Sequence, residues 1–466
     1  MHRRSFLQTP LAAAAAQTGT ARQLKTRPSK SIAASPISIG FETLDRQMFQ
    51  PERCYPHLAQ LGVKWARCQT GWARTETSKG LYDFAWLDGV VDSLLAIGIQ
   101  PWFNLGYGNR LYTPGAAHES AVGWVPLNSP EARQAWVRFV GTIAGRYRTR
   151  VKHWELWNEP NGANFWQPDK PDPAGYVELV RMTAPILRER IPGVTLIGGA
   201  FAGLSALDYF EAAFAAGLGG LVDRISYHPY RAIPELHYAA DLRALRGIVD
   251  RYKPGMPLWQ GENGAPSFKG GAGALRDLEW NETRQAKWLL RRVLSDLSLK
   301  VELTSYFHTV DMANYVWASG KSSLVNAKGI LRGTDYTPKP SYYALQHACA
   351  LFDAESKPAD LLMRFERGRT PAEERLVESV AFLRRGAPVY VYWNPTDLMQ
   401  DSTPCRMRMA VWSGEAGRLD RPVSVDLLTG AVSTLPPPAS KGGGARSFDV
   451  AVHDYPVLIT DASALD

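Results

Sequence analysis

The sequence predicts an α/β protein, a closed (β/α)8 TIM barrel followed by an all-β, sandwich-like domain. Three observations carry this. Eight short β-branched or aromatic runs alternate with longer segments of helical period; each run ends in Gly, Asn or Pro; and near residue 358 the pattern changes to strand-period alternation. With 466 residues, 45% hydrophobic and 15 Trp, the chain can fill a barrel core and an appendage.

The predicted order is an export signal and linker over residues 1–30, the barrel over 31–357 and the β domain over 358–466. The leader reads His2-Arg3-Arg4-Ser5-Phe6-Leu7-Gln8, then an Ala-rich stretch to Ala16. It resembles a twin-arginine export signal, which would place the mature protein in the periplasm or outside the cell; a basic tail is the plainer alternative. The leader also explains the net charge of +8. Residues 1–30 hold six basic and no acidic residues, and without them 47 basic stand against 45 acidic. So balanced a remainder gives no reason to expect nucleic acid as a partner. No run reaches the roughly 20 apolar residues of a membrane-spanning helix, so no integral membrane segment is expected.

Predicted strands fall at 37–41, 63–68, 99–105, 151–157, 194–198, 223–227, 257–261 and 302–307. Between them, Ser129-Pro130 and Asp172-Pro173 have the form of N-cap and first helical residue. The stripes Ala135, Trp136, Phe139, Val140, Ile143, Tyr147 and Tyr176, Leu179, Val180, Thr183 follow them. Trp86, Leu87, Val90, Val91, Leu94 and Leu95 form another stripe, as do Ala286, Leu289, Leu290, Val293 and Leu297; all are expected core. No GxGxxG or P-loop pattern follows a strand, which favours the barrel over an open sheet and implies no nucleotide cofactor. Runs at 389–393, 407–412, 423–427 and 448–452, with a Pro/Gly-rich stretch at 436–444, make up the β domain, expected to prop the barrel rather than to bind sugar.

Cys54, Cys68, Cys349 and Cys405 lack CxxC spacing; Cys54 and Cys68 are either a local bridge or two buried thiols. His153, Glu155, His228 and His308 lie on three strands without compact ligand spacing, so no metal is expected.

The chemistry concentrates at two strand ends. His153-Trp154-Glu155-Leu156-Trp157-Asn158-Glu159-Pro160-Asn161 closes the fourth strand, and Trp259-Gln260-Gly261-Glu262-Asn263-Gly264 closes the seventh. Barrel active sites sit at the C-terminal ends of the strands, and strands four and seven face each other across the mouth, so Glu159 and Glu262 can converge. Two facing carboxyls, one protonated and one ionised, suit glycosidic bond cleavage.

Asn158-Glu159-Pro160 on strand four, with Trp259, Glu262 and Gly264 on strand seven, resembles the retaining glycoside hydrolases of clan A. The run Trp157 to Asn161, His228-Pro229-Tyr230 and Pro338-Lys339-Pro340-Ser341-Tyr342-Tyr343-Ala344 make it most similar to glycoside hydrolase family 39, which includes β-xylosidases and α-L-iduronidases. The resemblance implies an oligosaccharide or polysaccharide substrate, Glu159 as acid/base and Glu262 as nucleophile, with carboxyls about 5 to 5.5 Å apart. It implies Asn158 on the sugar 2-hydroxyl, Arg67 keeping Glu262 ionised, and His228 or Tyr230 against the nucleophile or sugar. Aromatic faces stack on sugar rings, so some of Trp72, Tyr107, Trp124, Trp166 and Trp317 are expected to line subsites, Trp317 first among them, the others packing in the core. Strand eight departs from the pattern, with Tyr306-Phe307-His308 where many clan members carry Trp. A catalytically silent carbohydrate-binding barrel or an envelope scaffold are the competing expectations; retention of both carboxylates speaks against the first, and only the β domain speaks for the second.

Overall fold

The computed structural model describes residues 22–205, 207–366, 377–412, 419–436, 439–441 and 445–466; the twin-arginine-like motif and part of the Pro/Gly-rich stretch lie outside them. Eight parallel strands close a barrel: β1 Ile37–Gly40, β2 Trp65–Gln69, β3 Gln100–Leu105, β4 His153–Leu156, β5 Thr195–Ala202, β6 Arg224–His228, β7 Leu258–Asn263 and β8 Leu303–Tyr306. Every predicted strand overlaps one of these. Closure is the pairing of β1 with β8, Ile37 opposite Thr304 and Ile39 opposite Tyr306.

The outer ring is α1 Tyr55–Leu61, α2 Ala85–Ala96, α3 Pro130–Tyr147, α4 Pro173–Arg190, α5 Leu207–Ala215, α6 Tyr238–Tyr252, α7 Glu282–Ser298 and α8 Pro340–Leu351. Local chemistry sets the starts of α3 and α4 as the sequence predicts. Ser129 Oγ accepts from the Ala132 amide at 3.0 Å, and the Asp172 carboxylate accepts from Ala174 and Gly175. Such caps contribute about 1 kcal/mol each by satisfying amides that have no partner within the helix. Behind the caps, the stripes are buried against the sheet.

The N-terminal end of the barrel is plugged by Trp102, Ile197, Trp259 and Leu303, with Trp65 packed against them. This plug decides the place of chemistry, because it leaves the opposite end for polar side chains. His153 belongs to the plugged end, its ring 4.8 Å from Trp65 and 5.7 Å from Trp259.

The C-terminal domain is a pair of antiparallel sheets. One has the order Arg22–Gln23, Ala431–Thr434, Pro422–Asp426, Val457–Asp461, Ala387–Trp393, Glu378–Arg384, Ser356–Pro358; the other runs Met363–Phe365, Cys405–Val411, Ala445–Val452, Ala439–Lys441. Tyr390, Tyr392, Met409, Phe448 and Ile459 pack between them. Alternate residues of the same central strand, Val389, Val391 and Trp393, join the barrel's own core, so Ala387–Trp393 is buried on both faces. A one-sided sandwich strand would alternate with solvent. The junction is also ionic: Lys287 on α7 meets Asp454 at 2.8 Å, and Trp393 Nε1 and Arg291 both bind Glu235.

Residues 22–30 are part of this body. Arg22–Gln23 pairs with Ala431 and Val432, Leu24 is buried, and Arg27 binds Asp353, which also holds Arg384. Cys54, Cys68 and Cys349 are buried thiols and Cys405 is half-buried; none is bridged. No helix among the described residues is long and apolar enough to cross a membrane.

Candidate active site

After Leu156 the chain leaves β4 through two left-handed residues, Trp157 at φ 74° and Glu159 at φ 46°. Such conformations cost about 1–3 kcal/mol each and persist only where the surroundings hold them. Here Trp157 N donates to Leu105 O at 3.1 Å, Asn104 Nδ2 to Trp157 O at 2.6 Å, and Glu159 N to Ala200 O at 2.9 Å. Ala200 lies in a bulge of β5, where the register shifts between Gly198 and Phe201. Gly199 makes the bulge possible, since at φ 99° a Cβ would lie 2.5 Å from Ser226 O.

On β7, Glu262 points into the mouth opposite Glu159. One oxygen from each carboxylate and one ring nitrogen of His228 all lie within 4.8 Å of one another. Their surroundings differ. Glu262 Oε2 accepts from Arg67 Nη1 at 2.7 Å and Oε1 from the Tyr230 hydroxyl at 2.8 Å. Glu159 Oε1 lies 2.8 Å from His228 Nδ1. Burial, with the Glu155 charge acting the same way and Arg67 opposing, pushes the Glu159 carboxyl up from 4.5 to about 7. Burial also holds His228 down at about 4, so its imidazole is neutral at pH 7.

Arg67 is the hub. Fully buried, it donates to Glu155 through Nε at 2.8 Å and Nη2 at 2.5 Å, to Asn158 Oδ1 at 2.7 Å, to Glu262 and to Glu42 at 3.1 Å. Glu155 is further held by Asn104 Nδ2 at 2.9 Å and Ser226 Oγ at 2.5 Å. Gly261 lets these groups close up, because a Cβ there would meet Glu155 Oε1 at 3.1 Å and His228 Nε2 at 3.3 Å.

Glu159, Glu262, Asn158, Arg67, His228 and Tyr230 thus converge. The alternatives for the last two separate: Tyr230 contacts Glu262, and His228 contacts Glu159, with Glu262 more distant at 3.9 Å. Trp317 is not in this hydrogen-bonded set; it sits on a short hairpin, Val316–Trp317 with Gly320–Lys321, its ring 4.7 Å from Tyr315. Trp72 and Trp166 are core, at 0% and 3% exposure. Tyr107 is buried as well, at 2%, its hydroxyl accepting from Gln69 Nε2 at 3.1 Å. His308 is buried with its ring 5.2 Å from Phe49.

Sequence reasoning missed Glu42, Asn104, Ser226 and Arg46, and considered Glu155 only to set it aside as a metal ligand. The available signal was an inward-facing polar residue on a strand of apolar neighbours, as with Glu155 between Trp154 and Leu156. A cavity of about 590 Å³ is lined by Asp45, Arg46, Arg74, Asn109, Arg110 and His118, and none of the converging groups is in its lining. In that lining, Arg46 Nη2 lies 2.6 Å from Gln69 Oε1 and its guanidinium 5.9 Å from the Tyr107 ring.

In its barrel, its β domain and the placing of the strand-four and strand-seven glutamates, the chain resembles the clan A glycoside hydrolases. Within that clan it is most like family 39: residues 45–241 match the model of glycosyl hydrolases family 39. Among curated proteins it is similar to a beta-xylosidase of Geobacillus stearothermophilus, 28% identical over 163 residues covering 33% of this chain and 31% of that one. A beta-xylosidase of Caldicellulosiruptor saccharolyticus is 24% identical over 323 residues, 62% of each chain. The chain therefore spans less than two thirds of the length of these relatives. Among solved structures, a family 39 glycoside hydrolase from Bacteroides cellulosilyticus WH2 has the same fold, with TM-score 0.67 and 19% identity over 93% of this chain and 81% of that one. So has a monomeric beta-xylosidase from Caulobacter crescentus CB15, with TM-score 0.58 and 17% identity over 94% and 97%.

Proposed function

We propose that this chain is an exported retaining O-glycoside hydrolase that cleaves a plant or microbial oligosaccharide or polysaccharide by double displacement. The observation that carries the reading is the pair itself: carboxylate oxygens of Glu159 and Glu262 within 4.8 Å, the first beside His228 and the second bonded by Arg67 and Tyr230. Retaining enzymes hold their carboxyls about 5 to 5.5 Å apart, whereas inverting enzymes need roughly 6.5 Å or more to admit a water.

Glu262, between Arg67 and Tyr230, is the carboxylate that attacks the anomeric carbon. Glu159, still half protonated near pH 7, gives its proton to the leaving oxygen and then takes one from the water that releases the sugar. Neutral His228 holds it without supplying a positive charge that would strip the proton. Arg67 occupies Asn158 Oδ1, which leaves the Asn158 amide nitrogen for the 2-hydroxyl of the sugar. The names of the curated relatives make an aryl β-xyloside the first substrate to try.

The test separates the two glutamates. Glu262→Ala should lose turnover on every substrate. Glu159→Ala should still form the glycosyl enzyme from a dinitrophenyl glycoside, which needs no protonation, and azide should restore turnover by attacking the intermediate without base assistance. A 2-fluoro glycoside should label Glu262. Label on Glu159, no azide rescue, or inverted product by early-time NMR would refute the assignment.

A further inference from the structure

Arg67 carries one positive charge, and three carboxyl groups reach it: Glu42, Glu155 and Glu262. All three ionised would leave a buried cluster two charges short of neutral, which a low-dielectric site relieves by protonating the least supported member. Hydrogen bonding identifies that member. Glu155 accepts four bonds, two from Arg67 and one each from Asn104 and Ser226. Glu262 accepts from Arg67 and Tyr230. Glu42, 1% exposed, has a single 3.1 Å donor on Oε1, and its Oε2 has no hydrogen-bond partner.

The donor that Glu42 does have is Arg67 Nη1, the same nitrogen that binds Glu262 at 2.7 Å. We propose that Glu42 is a proton-carrying positioning residue: as a neutral acid it leaves Nη1 to Glu262, and as a carboxylate it competes with the nucleophile for that nitrogen. The proposal rests on the glycosidase reading of the site. From the other elements packed around it, Glu42 faces Arg67 and Cys68 on β2, Glu262 on β7, His308 after β8, and Tyr315. Burial keeps His308 neutral at about 3, raises Cys68 well above its usual range and raises Tyr315 to about 12, so only Arg67 and Glu262 bring charge to it near neutrality. Burial, opposed by Arg67 and reinforced by Glu262, places the Glu42 transition at about 8.

A dinitrophenyl glycoside isolates this step, since kcat/KM for such a leaving group does not register ionisation of the acid Glu159. In the wild type, kcat/KM should fall about tenfold between pH 7 and pH 9 as Glu42 ionises around 8. In Glu42→Gln the two values should agree within about twofold. An equal fall in both proteins, or none in the wild type, overturns the proposal, and a merely structural Glu42 would lower activity without moving the pH profile. Infrared spectra of wild-type protein labelled with 13C-glutamate give an answer without turnover or a folded variant. The protonated-carboxyl band should bleach in a step near pH 8, distinct from that of Glu159 near 7. Absence of the later step refutes the Glu42 assignment whatever becomes of the glycosidase reading, and failure to cleave any glycoside with that step present refutes only the latter.

Discussion

Replacing Glu159 by Gln should stabilise the protein, and only above about pH 5. The carboxyl titrates near 4.5 in the unfolded chain and near 7 in the folded one, because burial penalises its charged form. Below 4.5 the group is protonated in both states and contributes nothing. As pH rises from 4.5 toward 7 the unfolded chain ionises first, so folding is progressively disfavoured; above 7 the penalty is complete. That interval, at about 1.36 kcal/mol per pH unit, amounts to about 3 kcal/mol. Gln cannot ionise, keeps the shape, and can still bond His228 Nδ1. With an unfolding entropy of about 2.1 cal/mol/K per residue over 466 residues, the gain corresponds to about 3 °C in Tm at pH 8. It should shrink to under about 1 kcal/mol at pH 5. Guanidinium denaturation of both proteins at the two pH values measures it, and kcat/KM with a poor leaving group should collapse in the variant. A stability difference that is absent, or equal at pH 5 and pH 8, would refute the raised carboxyl and with it the acid role.

Other expectations follow from contacts elsewhere. Tyr230→Phe removes a hydrogen bond to a charged nucleophile, worth about 1.5–3 kcal/mol, so kcat/KM should fall about 10- to 100-fold; a change confined to KM would show that the hydroxyl serves only binding. Asp353→Ala strands buried Arg384 and frees Arg27, and should cost about 3–5 kcal/mol by denaturation. Because those arginines hold the Asp353 carboxyl below its usual 3.8 against the pull of burial, its contribution is present at neutral pH and fades only as pH falls below that value. Lys at both Arg3 and Arg4 should abolish transport through a twin-arginine route, read as loss of periplasmic or extracellular protein; undiminished export would rule that route out.

How much of this was legible beforehand depends on the range of the interactions. Strand and helix positions were readable because periodicity and caps act within a few residues: Ser129 and Asp172 begin helices for reasons contained in their own turn of chain. Glu159 and Glu262 were readable because a barrel assigns chemistry to strand ends, so the sequence position of each implied its place in space. The double burial of Ala387–Trp393 was hidden, since its apolar run looks the same whether one face or two are covered. The N-terminal segment was hidden for a similar reason: nothing near Arg22 announces a partner at Val432.

The sequence by itself therefore determined the barrel, the β domain and the two glutamates, because local pattern and a fixed topology suffice for those. Tertiary structure alone decided that Glu42 and Glu155 join Arg67 beside the pair, and that Tyr230 meets Glu262 while His228 meets Glu159. Glu42, Arg67, Glu155 and Glu262 come from four different strands or strand ends, and no spacing relates them. Their mutual hydrogen bonds, at distances of about 3 Å, exist only once the barrel has closed.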